Sequence, residues 1–374
     1  MKSKRKKYVL LAGGLTGGPI KPLLAVVNKW RSEEPDITPV IVDIKKSVSL
    51  NIAKNEGVEF KRIVAGKLRR YWSIYNLLTP ILFVISLIQS FIIIRRYKPV
   101  LVMGAGGFVQ LPLIVMAWIC RIPRMIHQQD VTVSLSNQLA APFANLITTT
   151  FEFSIRDFPQ GTGLGNKYIN GSKVYWTGNP TDIISDKVSS KDAKSKLSLH
   201  NQLPVLFIFG GGSGSQSLNK LITENLKELT KVVQILHITG IGKQKPVVHE
   251  NYHSFEFADN MGDFYSAADI VIARAGIGTL TELAEFGKPS IIVPLPQTHQ
   301  EMNAELLFRT KSALVLDQED LDAKILINAI RKILFDPNYE KQLVHNLRVI
   351  FPKHAKEKVV ELIIKLITHR GRKK

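Results

Sequence analysis

Glycine-rich segments follow short apolar runs at three places in the chain. They span residues 13–18, 104–107 and 210–214, and each precedes a stretch with helical spacing. Glycine lets a backbone approach an anion closely, and the N–H groups that open a helix favour a phosphate. One such segment is as typical of a tight turn as of a binding loop, but three at strand ends predict a site for a phosphorylated ligand. None matches the GxxxxGKS/T pattern, which argues against an ATPase or GTPase.

Polar side chains in the second half of the chain have types that suit a nucleoside and a sugar. Glu282 lies in the first turns of a predicted helix after the loop 275–278, where a carboxylate can accept hydrogen bonds from both ribose hydroxyls. Taken alone, it is explained at least as well by compensation of the helix dipole. Gln300 and Asn303 share one face of a predicted helical turn, and their amides can donate to and accept from hexose hydroxyls.

Strands, glycine loops and helices alternate along both halves of the chain, which is the pattern of doubly wound parallel sheets. We therefore predict an α/β fold with two Rossmann-like domains that face a cleft, and ligands bound at the carboxyl ends of the strands. The predicted domains span 1–182 and 203–351. A polar linker rich in Ser and Lys occupies 183–202, and residues 352–374 form an amphipathic helix with a basic tail.

The formal net charge of +19 is concentrated in the first half of the chain. Residues 1–182 hold 24 Lys and Arg against 10 Asp and Glu, a net +14, whereas the remainder holds 26 against 21, a net +5. Such a surface attracts nucleic acid, anionic lipid headgroups or phosphorylated substrates. The sequence offers no groove-reading helix or stacking module, so we expect no nucleic-acid binding. Cys120, the single cysteine, lies among apolar residues, which indicates a buried thiol in a reducing compartment.

The most hydrophobic stretch is 77–94, with aromatic residues before it and basic residues after it. Polar residues and Pro80 interrupt it, so the roughly 20 apolar residues of a membrane span are not met cleanly. Three interpretations remain: a spanning helix, a core helix packed on the sheet, or a surface that enters the membrane interface without crossing it. The basic first half favours the third.

Nine motifs carry a resemblance to a known family, and they extend over most of the chain. They are TGGPIKP at 16–22, GAGGFVQLP at 104–112, HQQD at 127–130, TGNP at 177–180, GGGSGSQSLN at 210–219, HITG at 237–240, FADNMGDFYSAAD at 257–269, RAGIGTLTE at 274–282 and HQEMNA at 299–304. By their order and joint occurrence the sequence resembles the MurG family of two-lobed (GT-B) glycosyltransferases. Members of that family transfer N-acetylglucosamine from a UDP-sugar to lipid I, which becomes lipid II in peptidoglycan synthesis.

The resemblance implies a second domain that binds the UDP-sugar and a first domain that binds the acceptor and associates with the membrane. Glu282 would hold the ribose, and Gln300 the sugar hydroxyls. The acceptor-side residues are Gly104, Gly106 and Gly107. The implied donor-binding residues are Thr16, Gly17, Gly18, Asp130, Gly212, Ser213, Ala258, Ile277, Gly278, Thr279, Leu280, Thr281, Glu282, Gln300 and Asn303.

The resemblance also implies the partners and the cellular location. UDP-N-acetylglucosamine is a substrate and not a cofactor, and lipid I is the acceptor. An anionic membrane surface is a further partner, and other cell-wall synthesis proteins are candidates. The enzyme would be peripheral on the cytoplasmic face of the bacterial cell membrane. Helix dipoles and backbone donors stabilise the leaving diphosphate in the family, so we expect inverting transfer without a metal ion or cofactor.

Several positions depart from the family pattern, and they bear on the general base. Pro19 stands where the family has a histidine, Gln128 replaces a glutamate, Asp130 an asparagine and Asp182 an arginine, and the serine of the third loop is shifted by one. An inverting transfer needs a base near the acceptor hydroxyl. Asp130 is the first candidate. His127 is the second, although a histidine at a strand end is more often a structural hydrogen-bonding residue.

Two other functions fit the same motifs. One is a GT-B glycosyltransferase with a different lipid acceptor, such as diacylglycerol. The other is a noncatalytic relative that binds a UDP-sugar, which the changes at Pro19 and Gln128 suggest.

Overall fold

The computed structural model describes residues 6–14, 17–45, 47–65, 75–158, 173–183, 188–200, 202–211, 214–244, 247–258 and 260–371. The chain divides into two compact units, one of Met1–Asp182 with His354–Lys374 and one of Ile183–Lys353. The first unit is therefore assembled from both ends of the chain, and the second from one continuous segment.

The first unit is built on a parallel sheet that is covered on both faces. Its strands are β1 (Lys7–Ala12), β2 (Ile37–Asp43), β3 (Glu59–Arg62), β4 (Leu101–Gly104), β5 (Arg124–Gln128), β6 (Leu146–Thr149) and β7 (Val174–Trp176). Within the described residues these form one seven-stranded sheet in the order β3-β2-β1-β4-β5-β6-β7. Chain progression reverses between β1 and β4, and such a switch point opens a crevice at the carboxyl ends of the two strands.

Helices cover this sheet because their apolar faces match its buried strands. Leu23, Val27 and Trp30 place α1 on one face, and Leu113 and Ala117 place α4 on the other. The helices are α1 (Ile20–Glu33), α2 (Val48–Asn55), α3 (Tyr75–Tyr97), α4 (Gln110–Ile119) and α5 (Leu135–Ala140), with short 3-10 helices at Ala141–Phe143 and Phe153–Asp157.

The second unit repeats the arrangement with a smaller sheet. Its strands are β8 (Val205–Phe209), β9 (Gln234–Ile238), β10 (Tyr252–Phe255), β11 (Ile270–Ala273), β12 (Ser290–Ile292) and β13 (Leu314–Val315). In the part of this unit that the structure describes they are parallel, in the order β10-β9-β8-β11-β12-β13. The predicted α/β class with doubly wound sheets is thereby confirmed. The helices are α6 (Ser190–Lys196), α7 (Gln216–Glu224), α8 (Leu226–Leu229), α9 (Met261–Ala267), α10 (Ile277–Phe286), α11 (Gln300–Arg309), α12 (Ala323–Phe335) and α13 (Pro337–Ile350).

The C-terminal helix α14 (Ala355–Gly371) returns to the first unit. Val359, Val360 and Ile363 are buried at 0%, 2% and 0% exposure in the same core cluster as α1. The sequence predicted a separate terminal segment at 352–374, whereas the helix is part of the first unit's core. Its apolar face predicted burial but did not identify the surface that covers it.

Asp182, which replaces the family's arginine, fastens α14 to α1. Asn28 of α1 donates from Nδ2 to Asp182 Oδ2 at 2.8 Å, and Lys356 Nζ of α14 lies 3.4 Å from Oδ1. An arginine could not accept either bond, so the side chains around position 182 in this chain suit a carboxylate and not an arginine.

The segment 183–202, predicted as a linker, contains α6 and belongs to the second unit. Lys194 pairs with Asp269 at 3.2 Å, and Lys196 pairs with Asp263 at 3.4 Å. The polar composition that suggested a linker reflects the solvated face of a short helix.

Helix α3 exposes its apolar side and buries its polar side. Ile81, Ile88 and Ile92 are 59%, 56% and 58% exposed, whereas Ser86 and Ser90 are 1% and 0% exposed. The stretch Thr79–Tyr97 is long and apolar enough to cross a membrane by length and composition, with 22% of it buried. Its last turns nevertheless belong to the core of the first unit.

We expect Ile363→Ala to lower the free energy of unfolding of the first unit by about 2–5 kcal/mol, because it removes a fully buried side chain from the core that α14 shares with α1. Ile81→Ala, an exposed control in the same unit, should cost about 0.5 kcal/mol or less. All four tryptophans lie in the first unit, so their fluorescence during denaturant titration reports its unfolding. Equal midpoints for the two variants would contradict a stabilising role for α14.

Candidate functional site

The loops after β1 and β4 meet backbone to backbone at the carboxyl edge of the first sheet. Gly107 has φ +84°, and a Cβ placed on it would stand 2.6 Å from Cα of Gly14. Gly106 has φ +93°, a conformation that favours glycine. A Cβ on Gly104 would overlap the side chain of Gln110. Backbone geometry therefore accounts for the three predicted acceptor-side glycines, and any contact that they make with a ligand would come from backbone groups.

The loop after β5 contacts the first glycine loop. Gln129 donates from Nε2 to the carbonyl oxygen of Gly18 at 3.2 Å. Helix α1 starts directly after Pro19, which lies at its N-cap and has no N–H group. Gly17 and Gly18 thus lie at this edge, while Thr16, predicted with them to bind the donor, lies outside the described residues.

Asp130, the first candidate for the general base, lies on the loop after β5 and is partly exposed. Gln128, at the end of β5, is 2% exposed. Its Nε2 donates to the carbonyl oxygens of Asp130 at 2.7 Å and Thr132 at 3.1 Å. The amide at 128 therefore holds the backbone that carries Asp130. A glutamate, the family residue at this position, has no N–H group with which to make these bonds.

His127, the second candidate base, is buried inside the first unit at 1% exposure. Its Nδ1 is hydrogen-bonded to Thr148 Oγ1 at 2.9 Å and its Nε2 to Asn179 Oδ1 at 3.2 Å. Burial lowers the pKa of His127 from its usual value to about 4, against the smaller opposing effect of its hydrogen bonds. Both ring nitrogens thus join neighbouring strands and loops. This arrangement argues against His127 as the base and fits the structural role that was the alternative.

In the second unit, Glu282 is held by a buried tyrosine. Tyr265 of α9 is 0% exposed, and its hydroxyl donates to Glu282 Oε2 at 2.8 Å. Burial, and then the charge of Glu282, raise the pKa of Tyr265 well above its usual value, so the phenol stays protonated. Its ring stacks on Phe286 with 5.0 Å between centroids. The carboxylate of Glu282, on a partly exposed residue of α10, is therefore fixed in orientation, as a ribose-binding group needs to be.

Helix α10 opens after Gly276, a residue with no side chain to cap it. Ile277 and Leu280 are 5% and 1% exposed, and Thr281 donates from Oγ1 to the carbonyl oxygen of Ile277 at 2.8 Å. These side chains serve the core and the helix itself. What this segment can offer an anionic ligand is the set of backbone N–H groups in its first turn, on Ile277, Gly278 and Thr279.

A buried arginine lies beside the third glycine loop. Arg274 follows β11 directly and is 4% exposed. Burial lowers the pKa of its guanidinium, which nevertheless stays charged. Because its hydrogen-bond partners are neutral, its positive charge favours an anion at this edge of the sheet. The partners are the carbonyl oxygens of Val293 (3.1 Å) and Pro294 (2.9 Å), the hydroxyls of Ser215 (2.8 Å) and Ser217 (2.9 Å), and Oε1 of Gln318 (2.5 Å).

The two amides of α11 have different environments. Gln300 is partly exposed, and its Oε1 accepts from the backbone N–H of Leu295 at 3.1 Å. Asn303 is 1% exposed and donates from Nδ2 to the carbonyl oxygen of Ala275 at 3.0 Å. The burial of Asn303, which ties α11 to the loop before α10, argues against the prediction that its amide contacts the sugar. Gln300 keeps an accessible position.

Ala258, another predicted donor residue, lies on the loop after β10. It is 7% exposed, and its neighbour Phe257 is 61% exposed. Gly212 and Ser213 lie outside the described residues. Across the part of the chain that the structure describes, no group of three or more His, Cys, Asp or Glu side chains is arranged to hold a metal ion. Asp320 and Asp322 form an Asp-x-Asp pair in the sequence, and Asp322 caps α12 by accepting from Ile325 N at 2.7 Å.

Three residues of the site received no role from the sequence. Tyr265, Arg274 and Phe257 all lie within the quoted motifs, so their positions were marked but their partners were not. Tyr265 meets Glu282 across 17 residues of chain, a separation that no helical or strand period connects. The sequence signal that could have indicated a role for Arg274 is its position directly after an apolar strand, because a charged side chain is rarely buried without partners.

Known proteins match the chain over nearly all of its length. Residues 8–149 match the N-terminal domain of glycosyltransferase family 28, and residues 205–361 match its C-terminal domain. A Clostridium tetani protein named UDP-N-acetylglucosamine–N-acetylmuramyl-(pentapeptide) pyrophosphoryl-undecaprenol N-acetylglucosamine transferase is 30% identical over 373 residues, which cover 98% of this chain and 100% of that protein. A Thermoanaerobacter sp. protein of the same name is 31% identical over 370 residues, covering 96% and 99%.

The folds agree as well. A crystal structure of Acinetobacter baumannii MurG has a TM-score of 0.69 at 22% identity, covering 96% of this chain and 99% of that chain. At this level of identity the structural similarity concerns the fold alone, whereas the two sequence relatives establish membership of their family. The chain belongs to glycosyltransferase family 28 and, within it, to the MurG family.

Proposed function

We propose that the chain transfers N-acetylglucosamine from UDP-N-acetylglucosamine to lipid I, undecaprenyl-pyrophosphoryl-MurNAc-pentapeptide, and so forms lipid II for peptidoglycan synthesis. The observation that carries this proposal is the similarity, at 30% and 31% identity and over at least 96% of the chain, to two transferases named for that reaction. The matches to both family domains support it, because donor and acceptor sides of the enzyme are then each represented.

The donor site is assigned to the carboxyl edge of the second sheet. Glu282, oriented by Tyr265, accepts from the ribose hydroxyls. The first-turn N–H groups of α10 and the charge of Arg274 offer a setting for the diphosphate, whose negative charge grows as the sugar leaves. Gln300 Nε2 is the donor that we assign to a hydroxyl of N-acetylglucosamine. Phe257 presents an exposed ring beside Ala258, which suits stacking with the base.

The acceptor side and the general base are assigned to the first unit. In an inverting transfer the acceptor hydroxyl loses its proton as its oxygen bonds to the anomeric carbon, while the bond to UDP breaks and UDP leaves with the electron pair. Asp130 is assigned as the base. Pro19 and Gln128 have no basic group, and burial separates His127 from a substrate. Charge on the leaving group is taken up by helix dipoles and Arg274, so we propose chemistry that needs no metal ion.

The apolar face of α3 is assigned to the membrane. Exposing branched and aromatic side chains to water costs free energy, and burying them in a bilayer interface removes that cost. Arg95 and Arg96, which end this face, are exposed and can approach anionic headgroups. This assignment supports our proposal that the enzyme is peripheral on the cytoplasmic face of the bacterial cell membrane, where it would meet a lipid-linked acceptor.

The test of the function is a transfer assay with UDP-N-acetylglucosamine and either lipid I or diacylglycerol. We expect transfer to lipid I, at the same rate with and without EDTA, and none to diacylglycerol. Transfer to diacylglycerol alone would indicate a different lipid acceptor. Donor binding with no transfer to either lipid would indicate a noncatalytic relative.

We expect Asp130→Asn to reduce kcat by roughly 10²–10⁴-fold, because the amide cannot take the acceptor proton. The Kd for UDP-N-acetylglucosamine, measured by calorimetry, should stay within about twofold if the residue acts on the proton and not on donor binding. Asp157→Asn, at a carboxylate of a 3-10 helix in the same unit, is the control and should leave kcat unchanged. Unchanged turnover in Asp130→Asn would remove this residue as the base.

We expect replacement of Ile81, Ile88 and Ile92 together by serine to weaken binding to vesicles containing phosphatidylglycerol by about tenfold or more, because the apolar area that enters the interface is lost. Flotation of the protein with these vesicles measures the effect. Phe335→Ser, which removes a 74% exposed ring from the second unit, is the control. Equal flotation of the triple variant and wild type would show that α3 is not the membrane-binding surface.

A further inference from the structure

Three buried amide side chains are hydrogen-bonded in series in the first unit. Gln110 at the start of α4, Asn137 on α5 and Gln128 at the end of β5 are 0%, 1% and 2% exposed. Gln110 Nε2 donates to Asn137 Oδ1 at 2.6 Å, and Asn137 Nδ2 donates to Gln128 Oε1 at 2.6 Å. We refer to these three side chains as the amide chain. Buried polar groups that are bonded at both ends hold the elements that they join in one arrangement.

The direction of the amide chain is fixed at its first member. Gln110 Oε1 accepts from the backbone N–H of Gly106 at 2.9 Å, so its nitrogen must donate onward. The same order is repeated at each step and ends at Gln128, whose Nε2 donates to the carbonyl oxygens of Asp130 and Thr132. The amide chain thus connects the glycine loop after β4 to the loop that carries Asp130.

This direction allows an amide at position 128 but not a carboxylate. A glutamate could accept from Asn137 with one oxygen, but its other oxygen would face the carbonyl oxygens of Asp130 and Thr132 without a proton to share. Buried and facing two acceptors, such a group loses both bonds and adds repulsion. Only the protonated carboxyl could donate, and then to one of the two carbonyls.

We propose that Gln128 is a positioning residue, which through the amide chain sets the place of Asp130 relative to the glycine loop 104–107. The proposal deepens the proposed function and rests on it for its catalytic consequence. It accounts for the pairing of an amide at 128 with a carboxylate at 130 in the HQQD segment, since the amide holds the loop that carries the carboxylate.

The experiment compares Gln128→Glu with Gln128→Met and with Asn51→Asp. The methionine removes the donor without adding charge. Asn51 is an exposed residue of α2 in the same unit, so its change to aspartate adds the same charge at the surface and serves as the control. Turnover with lipid I, the Kd for UDP-N-acetylglucosamine and amide hydrogen exchange of residues 129–133 are measured for each variant.

We expect Gln128→Glu to lower kcat by about 10–100-fold near pH 8, since small displacements of a reacting group have effects of this size. A buried carboxyl facing acceptors binds a proton at higher pH than an exposed one, so the ratio of variant to wild-type kcat should rise as the pH falls toward about 6. Gln128→Met should lower kcat by a ratio that does not change with pH. The donor Kd should stay unchanged, and exchange at 129–133 should be faster in both Gln128 variants than in the wild type and in Asn51→Asp.

The proposal is overturned if Gln128→Glu transfers the sugar to lipid I as fast as the wild type at pH 8. It is also overturned if the ratio of variant to wild-type kcat does not change with pH and Gln128→Met is as active as the wild type. If Gln128→Glu does not fold, Gln128→Met decides, because unchanged exchange and turnover in that variant would overturn it too. Hydrogen exchange needs no acceptor, so it separates the two proposals. Slow exchange in both variants contradicts the positioning role, whereas fast exchange with no transfer by the wild type contradicts the proposed function alone.

Discussion

The contact between the backbones of Gly14 and Gly107 is the constraint on which the ligand edge of the first unit depends. Neighbouring parallel strands lie only about 4.8 Å apart, and at the switch point both β1 and β4 must turn there into their helices. A Cβ at position 107 would separate the two loops. The missing Cβ of Gly104 leaves the space that Gln110 occupies, and from there the amide chain extends to the loop of Asp130.

The corresponding edge of the second unit is organised by charge. Arg274 gathers the start of α7, the end of β12 and Gln318 around one guanidinium, and it does so through neutral partners. A carboxylate in this place could not donate to the carbonyl oxygens or to Gln318, and it would have replaced the positive potential with a negative one. The unit therefore obtains its shape and its preference for an anion from the same side chain. Tyr265 has a similar double effect, since it fills the core and orients Glu282.

The periodic features of the sequence were sufficient to predict the fold, and local features predicted where ligand loops occur. Both sheets, their parallel strands and the glycine loops at strand ends follow from alternation and glycine placement, which are short-range signals. Contacts across long separations were not predictable. Asn303 was predicted to bind the donor sugar, yet it is buried and donates to the carbonyl oxygen of Ala275. Asp182 appears as a lost arginine, yet it bonds to Lys356, 174 residues further along the chain.

The return of α14 to the first unit has a consequence for biosynthesis. Because translation proceeds from the N terminus, the first unit's sheet leaves the ribosome long before Val359 and Ile363, which complete its core. All strands of the second unit are synthesised in between. The second unit can therefore finish folding first, while the part of the first unit's core that α14 covers is still exposed. A nascent chain in this state offers a surface that chaperones bind, and its protection from aggregation depends on how quickly the last helix arrives.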